Sequence, residues 1–213
     1  MASAFDFKKE YKDLYLPPAK PVLIMVPPMR FIAVDGMGNP NTEPSYAQAL
    51  EILYGLSYTI KMSKMTGNTP QGYFDYVVPP LEGLWRLSDT NIQLEEMMYH
   101  KDALIWTSLL RQPDFVTEEV FEGAMETLAK KKPGLDLSRA RLMDFEEGLC
   151  VQILHIGPYD AEPASVRKME AFAVSQGYRI DLSDTRPHHE IYLNDPRKTA
   201  QEKLKTVIRH PVA

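Results

Sequence analysis

Glu190 and Tyr192 are the residues whose type and spacing most directly suggest chemistry. They lie in the segment HHEIYLNDPRK, which alternates like a short β-strand, so their side chains point to the same face. Ile191 and Leu193 point to the other face. Glutamate is depleted in strands. A glutamate withdrawn from water has a raised pKa and can take a proton from a water molecule.

The role of Glu190 depends on which face of this strand is buried. If Ile191 and Leu193 form the core, the carboxylate lies in solvent, as most glutamates do, and an isolated strand favours this reading. If Glu190 faces a cavity instead, it could bind a cationic ligand or act as a general base. Tyr192 would then line the same cavity.

Other catalytic groups are not supported by residue spacing. His188 and His189 are adjacent in the predicted strand and point to opposite faces, so they cannot readily bind one metal ion. The remaining histidines have no recognisable metal-binding spacing: His100, His155 and His210. Cys150 lies in the apolar stretch GLCVQIL, which favours a buried, inert thiol. The glycine turns lack a phosphate-loop lysine. We therefore expect no metal and no cofactor.

The composition and net charge argue against further classes of binding partner. The formal net charge is −5, which argues against nucleic-acid binding, since that needs a concentrated basic face. The single cysteine excludes a disulfide framework within the chain. No signal peptide or long apolar run is apparent, so we expect a cytoplasmic location and no membrane partner. Hydrophobic small molecules, flat or cationic, are the expected ligands.

Four aromatic residues are candidates for a binding site. Trp85 is the first choice because it ends the predicted strand PLEGLWRL and could form one wall of a flat cavity. Tyr159, Tyr58 and Trp106 are the other candidates. An aromatic wall facing a carboxylate suits flat or cationic ligands.

The elements that would position these residues follow from the patterns along the chain. MRFIAVDGMGNP predicts a strand and a glycine turn, and Pro44 opens a helix with apolar residues at Ala49, Ile52, Leu53 and Leu56. GYFDYVVPPLEGLWRLSD and ALIWTSLLRQP predict strands, with IQLEEMMYHKD as a short strand or a hairpin connection. TEEVFEGAMETLAKKKPG predicts an amphipathic helix capped by Thr117.

The second half of the chain repeats this order of elements. GNPNTEPS, residues 38–45, aligns with GPYDAEPA, residues 157–164, and the glycine, glutamate and proline match. LLRQPDFVTEEVFEGAM aligns loosely with YLNDPRKTAQEKLKTVI as strand, proline and amphipathic helix. We therefore predict an α+β fold of duplicated β-α-β-β modules around a central pocket, related by a pseudo-twofold axis. The boundaries are an extended N-terminal arm at 1–28 and modules at 29–134 and 135–213.

Several phrases, in order, resemble the GyrI-like small-molecule-binding proteins: GYFDYVVPPLEGLW, LLRQPDFVTEE, EEGLCVQILHIGPYDAEP and HHEIYLNDPRK with EKLKTVIRHPV. The resemblance extends from about Tyr11 to Val212 and is to a stand-alone subgroup without a DNA-binding module. It implies two β-α-β-β modules around an aromatic pocket, with a glutamate from the last strand of the second module. That position is Glu190.

The resemblance also implies an activity, the hydrolytic opening of the cyclopropane in cyclopropanoid DNA-alkylating compounds. Glu190 would be the base that activates water, and Tyr192 or Tyr159 would donate to the substrate carbonyl. Such a hydrolase would protect the cell. The alternative is a non-catalytic protein that binds or sequesters drugs, because a glutamate in an aromatic box serves either function.

Overall fold

The protein is built on one eight-stranded antiparallel sheet. The computed structural model describes residues 4–67, 69–89 and 94–213. The strand order is β1-β6-β8-β7-β3-β4-β2-β5. The strands are β1 Val22–Val26, β2 Met29–Met37, β3 Leu81–Leu87, β4 Leu104–Arg111, β5 Ala140–Phe145, β6 Gly148–Ile156, β7 His188–Tyr192 and β8 Lys205–Pro211. The α+β class predicted from the sequence is confirmed.

The α-helices of the described residues flank this sheet. They are α1 Phe7–Glu10, α2 Lys12–Tyr15, α3 Pro44–Lys61, α4 Glu118–Lys131 and α5 Glu162–Ser175. The predicted stripe on α3 is confirmed, since Ala49, Ile52, Leu53 and Leu56 are all fully buried. Pro44 lies in the first turn and the Glu43 carboxylate accepts from the Ser45 amide. Thr117 caps α4 as predicted.

The N-terminal arm differs from the extended segment predicted for residues 1–28. It contains the short helices α1 and α2, followed by β1, which pairs with β6. Phe7, Leu14 and Tyr15 are buried in a shared apolar cluster against the sheet. The proline-rich composition concealed these turns because their stability comes from burying aromatic and apolar side chains rather than from local helix propensity.

The C-terminal segment also differs from the prediction. KLKTVI was interpreted as part of an amphipathic helix, but Lys205–Pro211 is the strand β8. It lies between β6 and β7 and hydrogen-bonds to both. Val207, Ile208 and Arg209 are buried, so neither face of the strand is exposed at these positions. A strand buried on both faces lacks the alternation that distinguishes strands from helices in a sequence.

The connection between β3 and β4 resolves one alternative from the sequence. These two strands pair with each other as an antiparallel hairpin. The connecting residues that the structure describes form the 3₁₀ turns Leu94–Tyr99 and Lys101–Ala103. IQLEEMMYHKD is therefore a hairpin connection as far as it is described, while Ile92 and Gln93 lie outside the described residues.

Most strands of the two predicted modules lie in opposite halves of the sheet. Strands β6, β8 and β7 lie on one side and β3, β4 and β2 on the other, and the halves meet where β7 pairs with β3. The edge strand β1, which belongs to the predicted arm, pairs with β6, and the edge strand β5, from the predicted second module, pairs with β2 of the first. This order is compatible with a pseudo-twofold axis between β7 and β3, and the duplication itself stays a prediction.

The two faces of the sheet have different coverings. We call the side that carries α3, α4 and α5 the helix face; its apolar clusters include Ile32 of β2 and Ile208 of β8. We call the other side the arm face; the N-terminal arm and Tyr76 pack there against Phe31 and Ile191. Because neighbouring strand residues alternate, β7 presents Glu190 to the helix face and His189 to the arm face.

A buried charge network on the arm face holds β7 from behind. His189 lies 3.0 Å from Glu82 and 3.0 Å from Glu147, and Arg209 donates to Glu147 at 2.7 Å. The Tyr15 hydroxyl of the arm donates to Glu82 at 3.2 Å. These groups are almost fully withdrawn from water. The network therefore ties β7 to β3, β8 and the arm through directional contacts.

We expect the stability of the fold to fall as this network loses its proton. Burial acts to lower the pKa of His189, but the charges of Glu147 and Glu82 outweigh it and raise that pKa from 6.5 to about 9. A raised pKa stabilises the fold below the unfolded value, and the effect is lost as pH rises through the folded value. The free energy of unfolding should therefore drop by on the order of 3 kcal/mol as the pH rises from 6.5 to about 9.

Urea denaturation at a series of pH values measures this loss. The His189→Gln variant is the reference, because it lacks the titrating group while groups elsewhere cancel in the difference. We expect the wild-type curve to fall towards the variant curve between about pH 6.5 and about pH 9. Parallel curves across this window would contradict the ionised His189 assigned to the network.

Candidate active site

A deep cavity opens on the helix face where the two halves of the sheet meet. Its volume is about 960 Å³, which is large enough for a drug-sized ligand. Helix α3 forms one side and the first turn of α5 another, while β3 and β7 contribute side chains from below. The segment Leu193–Arg197, which follows β7, completes the lining.

Glu190 lies at the base of this cavity and is 7% exposed. Its Oε1 atom is 2.9 Å from Nε2 of His188, and its Oε2 atom accepts from the Tyr192 hydroxyl at 2.7 Å. The Trp85 indole N–H in turn donates to the Tyr192 oxygen at 3.0 Å. Both faces of β7 are buried, because Ile191 is also withdrawn from water. The carboxylate is thus held in one orientation by neighbouring side chains.

A second buried carboxyl group, that of Glu162, also lines the cavity. It is the first residue of α5 and comes from the turn GPYDAEPA. Among the described residues, its Oε1 atom has no hydrogen-bond partner. An unpartnered buried carboxyl oxygen that faces a cavity is available to a ligand or a water molecule.

The two carboxyl groups have opposite pKa shifts. Burial acts to raise the pKa of Glu190, but the hydrogen bond and charge of His188, together with the Tyr192 hydroxyl, outweigh it and lower that pKa. Burial, reinforced by the negative charge of Glu190, raises the pKa of Glu162 well above its ordinary value. Two neighbouring carboxyl groups whose pKa values are driven apart form a base and an acid at the same pH. These opposite shifts favour an ionised Glu190 beside a protonated Glu162.

Three of the four aromatic candidates line this cavity. Trp85 lies beside Tyr46 of α3, with ring centroids 6.1 Å apart. Tyr159 meets Tyr192 edge to face, with centroids 5.8 Å apart. Tyr58 is 50% exposed and lies nearer the opening. These rings supply the flat apolar surfaces that aromatic ligands need.

Trp106 is the aromatic candidate that does not reach the cavity. It is fully buried and packs edge to face against Tyr46, with centroids 5.0 Å apart. Its ring fills the space above Gly36, where an added Cβ would come within 2.1 Å of it. The sequence could not show which of Trp106 and Trp85 lines the cavity. The two are register partners on adjacent strands, and they differ only in the side chains that cover them.

The match to a known family comes from nearly the whole chain. A family model of the GyrI-like small molecule binding domain matches residues 19–213. The chain belongs to the GyrI-like small-molecule-binding family. The cavity on the helix face is therefore the candidate small-molecule site of this GyrI-like protein.

Solved structures agree with this membership. A protein described as a hydrolase from Listeria innocua is 50% identical, with a TM-score of 0.89 over 98% of this chain and 100% of that one. An uncharacterized conserved protein from Listeria innocua is 51% identical, with a TM-score of 0.92 over 98% and 100% of the two chains. The EcmrR C-terminal domain, at 12% identity and a TM-score of 0.54 over 91% and 97%, shares only the fold. No curated protein matches the chain significantly.

Two residues of this GyrI-like site were missed from the sequence. Glu162 matched Glu43 in the alignment of the two halves, yet Glu43 caps α3 whereas Glu162 enters the cavity. The sequence signal that could have identified Glu162 was its position three residues after Tyr159, one of the aromatic candidates. Gly83 is the register partner of Glu190, and a Cβ there would come within 2.6 Å of the Trp85 indole nitrogen. Gly83 thus leaves room for the contact between Trp85 and Tyr192.

The remaining lining of the GyrI-like cavity is mixed in charge. Lysine and arginine side chains reach the outer part of the lining and several pair with acidic groups, as Lys132 does with Glu51. Across the part of the chain that is described, His, Cys, Asp and Glu side chains form no group of three arranged to hold a metal ion. In those same residues, every helix is too short or too polar to cross a membrane.

Proposed function

We propose that this protein is a hydrolase that opens the cyclopropane ring of flat, hydrophobic cyclopropanoid DNA-alkylating compounds with water. The observation that carries the proposal is the pair of buried carboxyl groups in one aromatic cavity, Glu190 with a lowered pKa and Glu162 with a raised pKa. Addition of water removes one proton and delivers another, so it uses a base and an acid together. The description of the 50%-identical Listeria protein as a hydrolase supports this assignment.

Binding in this proposal depends on the aromatic rings. A flat ligand would stack near Trp85 and Tyr159, with Tyr58 contacting its outer end. Displacement of water from these rings favours binding and also strengthens the electrostatic interactions of the two carboxyl groups. Holding the strained ring near the base lowers the entropic part of the barrier.

Glu190 would start the reaction as general base. A water molecule donates to the carboxylate and attacks a cyclopropane carbon while its proton passes to Glu190. The carbon–carbon bond breaks, and its electron pair moves through the conjugated ring system to the carbonyl oxygen, which becomes a phenolate. Release of ring strain supplies part of the driving force, so positioning and one base would account for much of the rate enhancement.

Glu162 would complete the reaction as general acid. Its raised pKa favours the protonated form, which can deliver its proton to the developing phenolate oxygen. Glu190 then returns the proton taken from water to Glu162, which restores both groups with no net gain or loss. Tyr159 is a second donor to the carbonyl, although burial and the charge of Glu162 raise its pKa to about 12.

In this proposal Tyr192 orients Glu190 and does not donate a proton to the substrate. Its hydroxyl proton is directed at Glu190, at 2.7 Å, and its oxygen accepts from Trp85. These contacts fix the orientation of the base. We therefore propose Tyr192 as a positioning residue for Glu190, in place of the substrate donor expected from the sequence.

Turnover tests the proposal. The purified protein is incubated with a several-fold molar excess of a yatakemycin-type cyclopropanoid in ¹⁸O-labelled water, and products are followed by mass spectrometry. We expect more product than protein, with one ¹⁸O atom per product molecule and none in a protein-free control. Stoichiometric loss of free ligand without product would instead indicate the alternative, a protein that sequesters such compounds.

The Glu162→Gln variant tests the acid separately. Because Glu162 is neutral in the resting site, glutamine keeps its shape and charge, so we expect folding and ligand affinity to be retained. Loss of the transferable proton should lower kcat by about 10²-fold. Steady-state kinetics beside an equilibrium binding measurement would separate the two effects. An unchanged kcat would exclude Glu162 as the acid.

Opening the ring would destroy the electrophile before it reaches DNA. We therefore propose that the protein protects the cell against such compounds from the cytoplasm. A strain that expresses the wild-type protein should tolerate a cyclopropanoid better than one that expresses Glu190→Gln at equal abundance.

A further inference from the structure

A continuous chain of hydrogen bonds leads away from the base of the cavity. His188 Nε2 is 2.9 Å from Glu190 Oε1, and His188 Nδ1 is 2.6 Å from His210 Nε2. His210 Nδ1 is 2.9 Å from Oε1 of Glu170 on α5. The two imidazole rings are buried, whereas the Glu170 side chain is 23% exposed. The chain thus connects the cavity to solvent without passing through the cavity opening.

The number of protons in this chain of hydrogen bonds follows from the ionisation of the two carboxyl groups at its ends. Three hydrogen bonds join four groups, and each hydrogen bond contains one proton. Two neutral imidazoles provide only two N–H groups, and carboxylates provide none. When Glu190 and Glu170 are both ionised, the His188–His210 pair must therefore carry one additional proton and a single positive charge.

The surroundings place that charge on His188. Burial, assisted by the charge of His188, lowers the pKa of His210 to about 4, with the Glu170 hydrogen bond acting in the opposite direction. His210 is then neutral, with its proton on Nδ1 towards Glu170. His188 is left donating from both ring nitrogens, to Glu190 and to His210, which requires the imidazolium form.

The charges that act on this pair come from the carboxyl groups at its two ends, Glu190 on the same strand as His188 and Glu170 on α5. The register partners on the neighbouring strands, Trp85 on β3 and Val151 on β6, carry no charge. The positive charge of the pair is thus balanced at both ends by carboxylates.

We propose that His188, His210 and Glu170 are positioning residues that hold a proton beside Glu190 and exchange it with solvent at the outer end of the chain. Loss of that proton keeps the hydrogen bond from His188 to Glu190 and the one between the two rings, and it leaves His210 Nδ1 with no proton to share with Glu170. His210 Nδ1 passes its proton to Glu170, His188 Nδ1 passes its proton to His210 Nε2, and Glu170 releases one proton to water. Two neutral imidazoles remain, and His188 still donates from Nε2 to Glu190.

The held proton has a consequence for the two glutamates in the cavity. With a cation at His188, Glu190 stays ionised and the proton shared with Glu162 stays on Glu162. Without the cation, Glu190 becomes more basic and competes for that proton, so the base and the acid are both weakened. This consequence for turnover rests on the proposed function, whereas the proton count does not.

Nitrogen-15 NMR of the histidine rings tests the relay without any substrate. In the wild-type protein near neutral pH, we expect His188 to give the imidazolium pattern and His210 the neutral tautomer protonated on Nδ1. Glu170→Gln removes the outer carboxylate, and it should lower the pH at which the pair loses its proton by about one unit. Glu126→Gln on the exposed side of α4 is the matched control and should leave the titration unchanged.

The pH dependence of kcat gives a second readout that a purely structural role would not change. The alkaline limb should move to lower pH in Glu170→Gln by the same amount as the NMR midpoint, with thermal stability nearly unchanged. Two neutral rings in the wild type, or a midpoint unaffected by Glu170→Gln, would overturn the relay. Absence of turnover in the wild type would remove the proposed hydrolase but leave the NMR result to decide the relay.

Discussion

Glu190→Gln is expected to lower kcat for cyclopropanoid hydrolysis by about 10²- to 10⁴-fold, the contribution that a positioned general base makes. Glutamine keeps the size of the side chain, but its single carbonyl oxygen can accept from only one of His188 and Tyr192 in their present positions, and it cannot take a proton from water. Ligand binding should change much less, because the stacking residues are untouched. Steady-state turnover and quenching of tryptophan fluorescence by the ligand measure the two quantities.

Two controls show whether a loss of kcat in Glu190→Gln is due to loss of the base. Glu126→Gln carries the same substitution on the exposed side of α4 and should retain full turnover. A thermal melt of Glu190→Gln shows whether the imidazolium of His188, left without its carboxylate, has destabilised the fold. A folded Glu190→Gln protein with undiminished kcat would keep the enzyme but remove Glu190 as its base.

Arg209→Met is expected to have the largest effect on stability. The Arg209 side chain is fully buried, and its guanidinium donates to Glu147 at 2.7 Å, to Gln152 at 3.0 Å and to the Leu14 carbonyl at 2.9 Å. Methionine fills similar space, but it leaves the buried Glu147 carboxylate without the hydrogen bond and positive charge of Arg209. Removal of one partner of a buried ion pair costs about 3–5 kcal/mol.

Urea denaturation at neutral pH measures this cost, and the slope with urea concentration shows whether the unfolding stays two-state. Arg179→Met is the matched control, because that arginine is 72% exposed and pairs with Asp181 near the surface. Its effect should stay within about 0.5 kcal/mol. Equal losses in the two variants would contradict a network that stabilises the fold from beneath β7.

Glu190 lies on the cavity face of β7, and Arg209 of β8 belongs to the network that contacts the opposite face of β7. His189 joins β7 to the network that contains Arg209, and the next residue along the chain is Glu190. The network on the arm face thus fixes the strand whose other face carries the base. Ionic contacts on one side and the cavity on the other explain why a strand of five residues contains two histidines and a glutamate.

The long helices were predictable because their information is local. The spacing of Ala49, Ile52, Leu53 and Leu56, with Pro44 in the first turn, specified α3 without reference to the rest of the chain. Elements buried on both faces were harder to predict, since β8 has no alternation and was interpreted as helix. The turns of the N-terminal arm were missed because they depend on distant apolar partners.

The sequence by itself determined that Glu190 and Tyr192 share one face of a strand, because the alternation of side chains is a property of the extended backbone. Only the tertiary structure decided that this face is covered by helices and that Glu162 reaches the same cavity. It also separated Trp85, which lines the cavity, from Trp106, which lies behind Tyr46. Burial and the charges that shift a pKa come from residues far apart in the chain, so the division between base and acid exists only in the folded protein.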